Sequence, residues 1–250
     1  MTELSIQEKR VIKSMTNLET EMTDKYFAKV PKTAVWELTQ EELGLYSWLL
    51  LKASHIPEFG EQKGVKFYKR SHFVQELTGQ KNAAGPLRKK IMGMVDSMIN
   101  ADLVELCEDG WQFTMLFPAI SENQAFFKVY YDQQKRIMES SKTMKALGFL
   151  GAYAVFRSFV FERFDEINGE GRIVWQSVRT IAQMGSVNKT TMFDRLDRLE
   201  ELGVIVKMSA YPETDYGYAK NYYADVINHK ELAKYVYELR DRGELLKIKS

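Results

Sequence analysis

The segment from Ser177 to Lys207 constrains this chain more than any other. Val178, Ile181 and Ala182 recur at intervals of three and four, so a helix gathers them on one apolar stripe. Met184-Gly185-Ser186 interrupts that period, as a turn does. Asn188 suits the N-cap of a second helix. There Met192, Leu196, Leu199 and Gly203 return at intervals of four, three and four. Leu202-Gly203-Val204-Ile205-Val206 ends that helix at glycine and turns β-branched, which suits a strand. The segment reads as a short helix, a tight turn, a second helix and the first strand of a hairpin.

Bulk properties exclude several classes. At 250 residues the chain can bury one large core or two modest ones. It is 45% apolar and 28% charged, which places it among globular proteins. A net charge of +1 gives no general pull toward nucleic acid, so any such contact must rest on local patches. The single cysteine, Cys107, rules out a disulfide framework and a cysteine zinc site, and fits a reducing compartment. The opening residues lack the apolar run of a signal peptide, and no segment nears the roughly 20 apolar residues of a membrane span. The expected location is cytoplasmic, with no membrane partner.

Residues 1–32 read as an N-terminal arm, with a helix from Ser5 to about Asn17 and an extended entry segment from Thr23 to Lys32, in which Pro31 keeps Val30 out of helical geometry. Residues 33–118 form a first unit. Thr39-Gln-Glu-Glu42 is a capping box opening a helix with Leu43, Leu45, Tyr46, Leu49 and Leu50. Val65 to Tyr68 is a short β-like run, and Ser71 is placed to cap Phe73 to Leu77. After the turn at Thr78-Gly79, Gly85-Pro86 starts a helix with Leu87, Ile91, Val95 and Met98 on its apolar side. Leu103 to Cys107 and Trp111 to Leu116 flank Glu108-Asp109-Gly110, a hairpin signal. The order helix, strand, helix, turn, helix, hairpin thus occurs twice.

Residues 119–146 read as a linker helix, since Glu122 to Lys145 has neither glycine nor proline. Its Phe126, Phe127, Tyr130 and Tyr131 pack on a domain or form a dimer surface. Residues 147–250 form the second unit, with a buried helix from Leu150 to Phe164. It continues with a turn at Asn168 to Gly171, a short strand at Arg172 to Trp175, the opening segment and a polar loop from Tyr211 to Asn221. A return strand from Tyr222 to Val226 and a helix with Leu232, Tyr235, Val236 and Leu239 follow. The expected fold class is mainly α with small β-hairpin wings (α+β), in two winged helix-turn-helix domains joined by a helix.

Catalytic patterns are missing from the sequence. His55, His72 and His229 are far apart and form no paired metal motif. Gly60-Glu-Gln-Lys-Gly64-Val-Lys66 fails the spacing of a phosphate loop and has no Ser or Thr after its lysine, and no GxSxG occurs. No enzymatic activity, cofactor or metal is expected.

The repeated order resembles the winged helix-turn-helix, a fold used to place its second helix in the DNA major groove. That resemblance implies which residues meet DNA. From Lys81 to Val95 the first unit carries Lys81, Arg88, Lys89 and Lys90 and no acid. At about 100° per residue, Lys89 points directly away from the Leu87/Ile91/Val95 stripe, with Arg88 and Lys90 flanking it. Lys81, Asn82, Arg88, Lys89 and Lys90 are therefore candidate DNA contacts; a solvated basic face is the alternative reading. The second unit is mixed. Asn188, Lys189, Thr190, Thr191, Arg195 and Arg198 are candidates, but Asp194, Asp197, Glu200 and Glu201 share the helix. Asp194 is spaced to pair with Arg198. Either only the tip at Asn188–Thr191 enters the groove, or this unit mainly binds protein. The first wing, Glu108-Asp109-Gly110, is acidic, whereas the second offers Tyr216, Tyr218, Lys220, Asn221 and Tyr222 as phosphate donors, Tyr218, Lys220 and Asn221 foremost.

Tyr26-Phe-Ala-Lys-Val-Pro-Lys32 followed by Leu38-Thr-Gln-Glu-Glu-Leu-Gly-Leu-Tyr-Ser-Trp-Leu-Leu-Leu51 resembles the start of replication-initiator domains of Firmicutes plasmids and phages. There an aromatic entry strand with a proline precedes a leucine-rich helix and a winged helix. The resemblance spans residues 24–118, with a generic winged helix over 150–208. It implies a sequence-specific double-stranded DNA-binding protein of the replication-initiator type. A transcriptional regulator of the same architecture is the alternative, and a winged-helix protein-interaction module without DNA binding is a further one. Expected partners are double-stranded DNA, replication or transcription proteins, and a second copy in a homodimer.

Overall fold

The computed structural model describes residues 25–60, 62–109, 112–121, 123–160, 172–212 and 218–249. The expected helix from Ser5, the turn at 168–171 and Tyr216 lie outside the described residues. The first half runs β1 (Phe27–Pro31), α1 (Ala34–Glu37), α2 (Gln40–Lys52), β2 (Ser54–His55), a 3-10 turn (Pro57–Phe59) and β3 (Lys63–Phe67). It continues with α3 (Arg70–Thr78), α4 (Gly85–Asn100) and the hairpin β4 (Glu105–Asp109) and β5 (Gln112–Phe117). The second half runs β6 (Phe126–Tyr130), α5 (Tyr131–Glu139), α6 (Thr143–Ser158), β7 (Ile173–Val174), α7 (Val178–Met184), α8 (Lys189–Glu201), β8 (Ile205–Pro212) and β9 (Lys220–Asp225). A 3-10 turn (Val226–Asn228), α9 (His229–Asp241) and β10 (Leu245–Lys249) follow.

Local chemistry sets the boundaries. Thr39 Oγ1 accepts from the Glu42 N–H at 3.4 Å, and the Glu42 carboxylate accepts from the Thr39 N–H at 2.8 Å, completing the capping box of α2. Pro86 sits in the first turn of α4, where its missing N–H costs nothing. Gly203, at φ 62°, ends α8, with the Val204 N–H bonded back to the Leu199 carbonyl. Ser71 does not cap α3, which begins a residue earlier at Arg70 after Lys69.

The expected fold class needs correction. Among the described residues, strands form one two-stranded and two four-stranded sheets, so the chain is α+β and its sheets exceed small wings. The 119–146 segment is not one linker helix. It contains β6, which pairs antiparallel with β1, before α5 begins. Phe127 and Val129 are fully buried and alternate with the half-buried Phe126 and Lys128, a period of two that a helix cannot use. Helix α6 also starts seven residues before the expected Leu150. Strand β10, not expected from the sequence, extends the second sheet beside β8.

The two halves repeat each other. The first sheet is ordered β2-β3-β5-β4 and the second β10-β8-β9-β7, so β3-β5-β4 matches β7-β9-β8. Phe27-Ala-Lys-Val30 corresponds to Phe126-Phe-Lys-Val129, and Thr39-Gln-Glu-Glu-Leu-Gly-Leu45 to Thr143-Met-Lys-Ala-Leu-Gly-Phe149. The motifs lie five residues further apart in the second copy, the difference between the nine residues of α5 and the four of α1. In the β1–β6 ribbon Lys29 faces Lys128, with Phe27 opposite Tyr130 and Pro31 opposite Phe126, so a two-fold through the lysine pair exchanges the strands. Behind the ribbon α2 crosses α6 at backbone contact. A side chain on Gly44 would run into the Leu147 carbonyl, and one on Gly151 into that of Gln40.

One buried cluster runs from Val30 to Tyr223 and draws on both halves; a smaller one lies between the second sheet and α9. A buried polar group ties the ribbon to the second sheet. Asp225 accepts from Tyr153 Oη at 2.5 Å, from Gln133 Nε2 at 3.1 Å and from the Ile227 N–H at 3.2 Å. Arg157 lies 3.7 Å from Asp225 and donates to the Lys128 carbonyl at 2.9 Å. Burial pushes the Asp225 carboxyl up, against the pull of Arg157, and pushes the Tyr153 hydroxyl well up, so the tyrosine is the donor.

Candidate nucleic-acid interface

In the first half, α3 ends at Gly79, whose φ of 68° turns the chain toward α4. The buried side of α4 is Ile91, Met94, Val95 and Met98, with Leu87 half-buried against the same core. That phase puts Arg88, Lys89 and Lys90 on the exposed side, and Lys81 and Asn82 are exposed in the turn before it. No acid lies on α4 before Asp96. Among the described residues none of these four cations forms an ion pair. Glu108 of the adjacent hairpin is already engaged: it pairs with Arg70 at 2.6 Å, clipping β4 to the start of α3.

In the second half, Ser177 caps α7 by accepting from the Thr180 N–H at 3.1 Å. Asn188 caps α8 by accepting from the Thr191 N–H at 2.8 Å, so its amide oxygen is occupied by the helix. Met192, Leu196 and Leu199 are buried; Lys189 and Thr190 are exposed and Thr191 half-buried. Arg195 does not face outward. It is half-buried and donates to the Gln40 amide oxygen and, at 2.7 Å, to Glu41, both on α2. Arg198 pairs with Glu201 at 2.8 Å rather than with the expected Asp194. Lys207, from β8, pairs with Glu200 at 2.6 Å and Asp197 at 3.3 Å, neutralising part of the acidic face of α8.

The second hairpin is likewise divided. Tyr218 is 84% exposed. Lys220 is exposed, its ammonium 5.1 Å from the Trp175 ring centre and 5.4 Å from that of Tyr222. Asn221 is used within the sheet: its amide oxygen accepts from Ser209 Oγ at 2.8 Å and its Nδ2 donates to Tyr223 Oη at 3.1 Å.

The structure thus gathers Lys81, Asn82, Arg88, Lys89 and Lys90 at one helix end, and Lys189, Thr190 and Thr191 at the other. It commits Arg195, Arg198 and Asn221 to contacts within the chain. Sequence reasoning missed Lys207, which lies one strand beyond the helix it neutralises, and two exposed aromatics, Trp175 and Phe193. Among the described residues no group of three or more His, Cys, Asp or Glu side chains could hold a metal ion, and no helix is long and apolar enough to cross a membrane. No protein-family model, curated protein or solved structure matches the chain.

Proposed function

We propose that this protein binds specific double-stranded DNA through the N-terminal half of α4, in the manner of a replication initiator. The observation that carries this is the row Arg88-Lys89-Lys90, exposed, outside any ion pair among the described residues, and set on α4 opposite the buried Ile91, Met94, Val95 and Met98. A helix so placed offers cations to phosphates and a bidentate donor to guanine edges. The two-fold of the repeat supports the same reading, because paired reading helices match the dyad of duplex DNA. Since Arg195 and Arg198 are engaged inside the chain, α8 contributes through Lys189 and Thr190 alone. The likeness of residues 24–118 to plasmid and phage initiators favours replication over transcriptional control. A bound site consisting of repeats at an origin accords with the first role, and a single site over a promoter with the second.

The decisive test selects bound duplexes from a random pool and titrates the best one against salt. Alanine at Arg88, Lys89 and Lys90 together should weaken binding and flatten the salt slope by up to about three units. Unchanged affinity and slope would remove α4 from the DNA interface.

A further inference from the structure

The outer face of the β1–β6 ribbon carries a cluster that joining the halves does not require. The inner face, with Ala28, Val30, Phe127 and Val129, is buried and does that work. The pairing identifies what lies outside. Backbone bonds join Tyr131 to Tyr26 and Lys32 to Ala125, each at 2.9 Å, and the Lys128 carbonyl turns away to accept from Arg157. Lys29 and Lys128 therefore form a non-hydrogen-bonded pair, the class in which opposed side chains stand closest. Two like charges so placed cost stability. Each lysine reaches diagonally over a phenylalanine: Lys29 over Phe126 at 4.7 Å and Lys128 over Phe27 at 4.9 Å. The two-fold exchanges these contacts. Phe27 is 39% exposed, Phe126 is half-buried, and Tyr26 and Tyr131 are exposed at the end of the ribbon. Neither strand contains an acid, and Lys25 and Lys32 flank β1. Asp132, half-buried, follows Tyr131.

We infer that this face is a binding site for single-stranded nucleic acid, separate from the duplex interface of α4. The opposed ammonium groups supply charge for a backbone phosphate, and Phe27 and Phe126 supply apolar ring surface on either side for unpaired bases. A second copy of this chain is a poor occupant, because it would bring four lysines together. Duplex DNA is also a poor one, because its bases are stacked away from the rings.

The test uses the full chain with fluorescein-labelled oligothymidylate of roughly 20 nucleotides, which has no duplex structure, and a selected duplex in parallel. Wild type should bind the oligothymidylate. K29Q/K128Q should weaken it about ten-fold or more and lower the salt slope by about 1.4 units, the value for two phosphates on a single strand. F27L/F126L, with both lysines kept, should weaken it roughly five-fold or more. Alanine at Arg88, Lys89 and Lys90 should leave oligothymidylate binding intact while weakening the duplex, so loss of either site is seen separately. Duplex binding retained by K29Q/K128Q shows that it is folded, so that variant remains decisive even if F27L/F126L unfolds. The inference is overturned if wild type ignores oligothymidylate or if K29Q/K128Q binds it as wild type does. It is equally overturned if a folded F27L/F126L binds unchanged, or if K29Q/K128Q weakens duplex and single strand alike.

Discussion

Replacing Gly151 with alanine should damage this fold more than its small volume suggests. In an exposed helix the same change stabilises, by about 1 kcal/mol at most, because alanine restricts the unfolded chain and favours the helix. At Gly151 the new carbon would stand 2.6 Å from the Gln40 carbonyl carbon and 3.1 Å from its Cα, with the carbonyl oxygen nearer still. Non-bonded carbons settle at about 3.5–4.0 Å, so α2 and α6 must part by about 1 Å. The obstacle is backbone, which cannot swing aside. The separation would loosen Leu43, Leu147, Leu150 and Tyr153, all buried along this crossing. Overpacking of this kind costs about 1–3 kcal/mol and more where nothing yields, so the net loss should be about 2 kcal/mol or greater. Gly93 provides the control within the same chain: it lies in α4, and a Cβ there meets nothing within 4 Å. Urea unfolding followed by tryptophan fluorescence should lower the midpoint of Gly151→Ala and raise that of Gly93→Ala, with slopes unchanged. A Gly151→Ala midpoint at or above wild type would refute the close crossing.

Two further substitutions test the packing. Leu196→Ala should destabilise by roughly 2–5 kcal/mol in the same assay, because Leu196 is buried under α8; a wild-type midpoint would show that the helix is phased differently. Arg157→Met should cost about 3–5 kcal/mol by leaving Asp225 buried without its cation, and adding Asp225→Asn should recover part of that loss; full independence of the two changes in a double-mutant cycle would deny the pair.

Several features decided within a few residues were legible in the sequence, although Ser71 does not cap α3 and Arg198 does not pair with Asp194. The capping box at Thr39, the proline opening α4, the Asn188 cap and the glycine exit of α8 are all local devices, and each was legible. Strand β6 was not, because its partner β1 lies about a hundred residues upstream and its lack of glycine and proline also suits a helix. Self-comparison would have helped, since Phe-x-Lys-Val and Thr-x-x-x-Leu-Gly both recur, but they are short islands in diverged copies. In the candidate interface the exposed basic row of α4 followed from helical phase alone. The partners of Arg195 could not be read, because Glu41 lies 154 residues away.

Its direction, however, was within reach of the same phase. Aligning the buried stripe Ile91/Val95/Met98 of α4 with Met192/Leu196/Leu199 of α8 places Met94 on Arg195 and Arg88-Lys89-Lys90 on Lys189-Thr190-Thr191. Met94 is buried, and Arg195 lies roughly 60° from the centre of its own stripe, so the position points inward in both copies. The outward tip differs instead in charge: three cations in the first copy and one in the second. In the second copy the arginine at the inward position holds α8 against the first residues of α2, close to the glycine crossing. A carboxylate left alone near Arg195 would weaken an approach to phosphate, whereas one paired with it does not. On the proposed function the copies have therefore divided the work. Helix α8, fastened to α2 through Arg195, would add only a weak contact at Lys189 and Thr190, and α4 would present the charge that holds DNA.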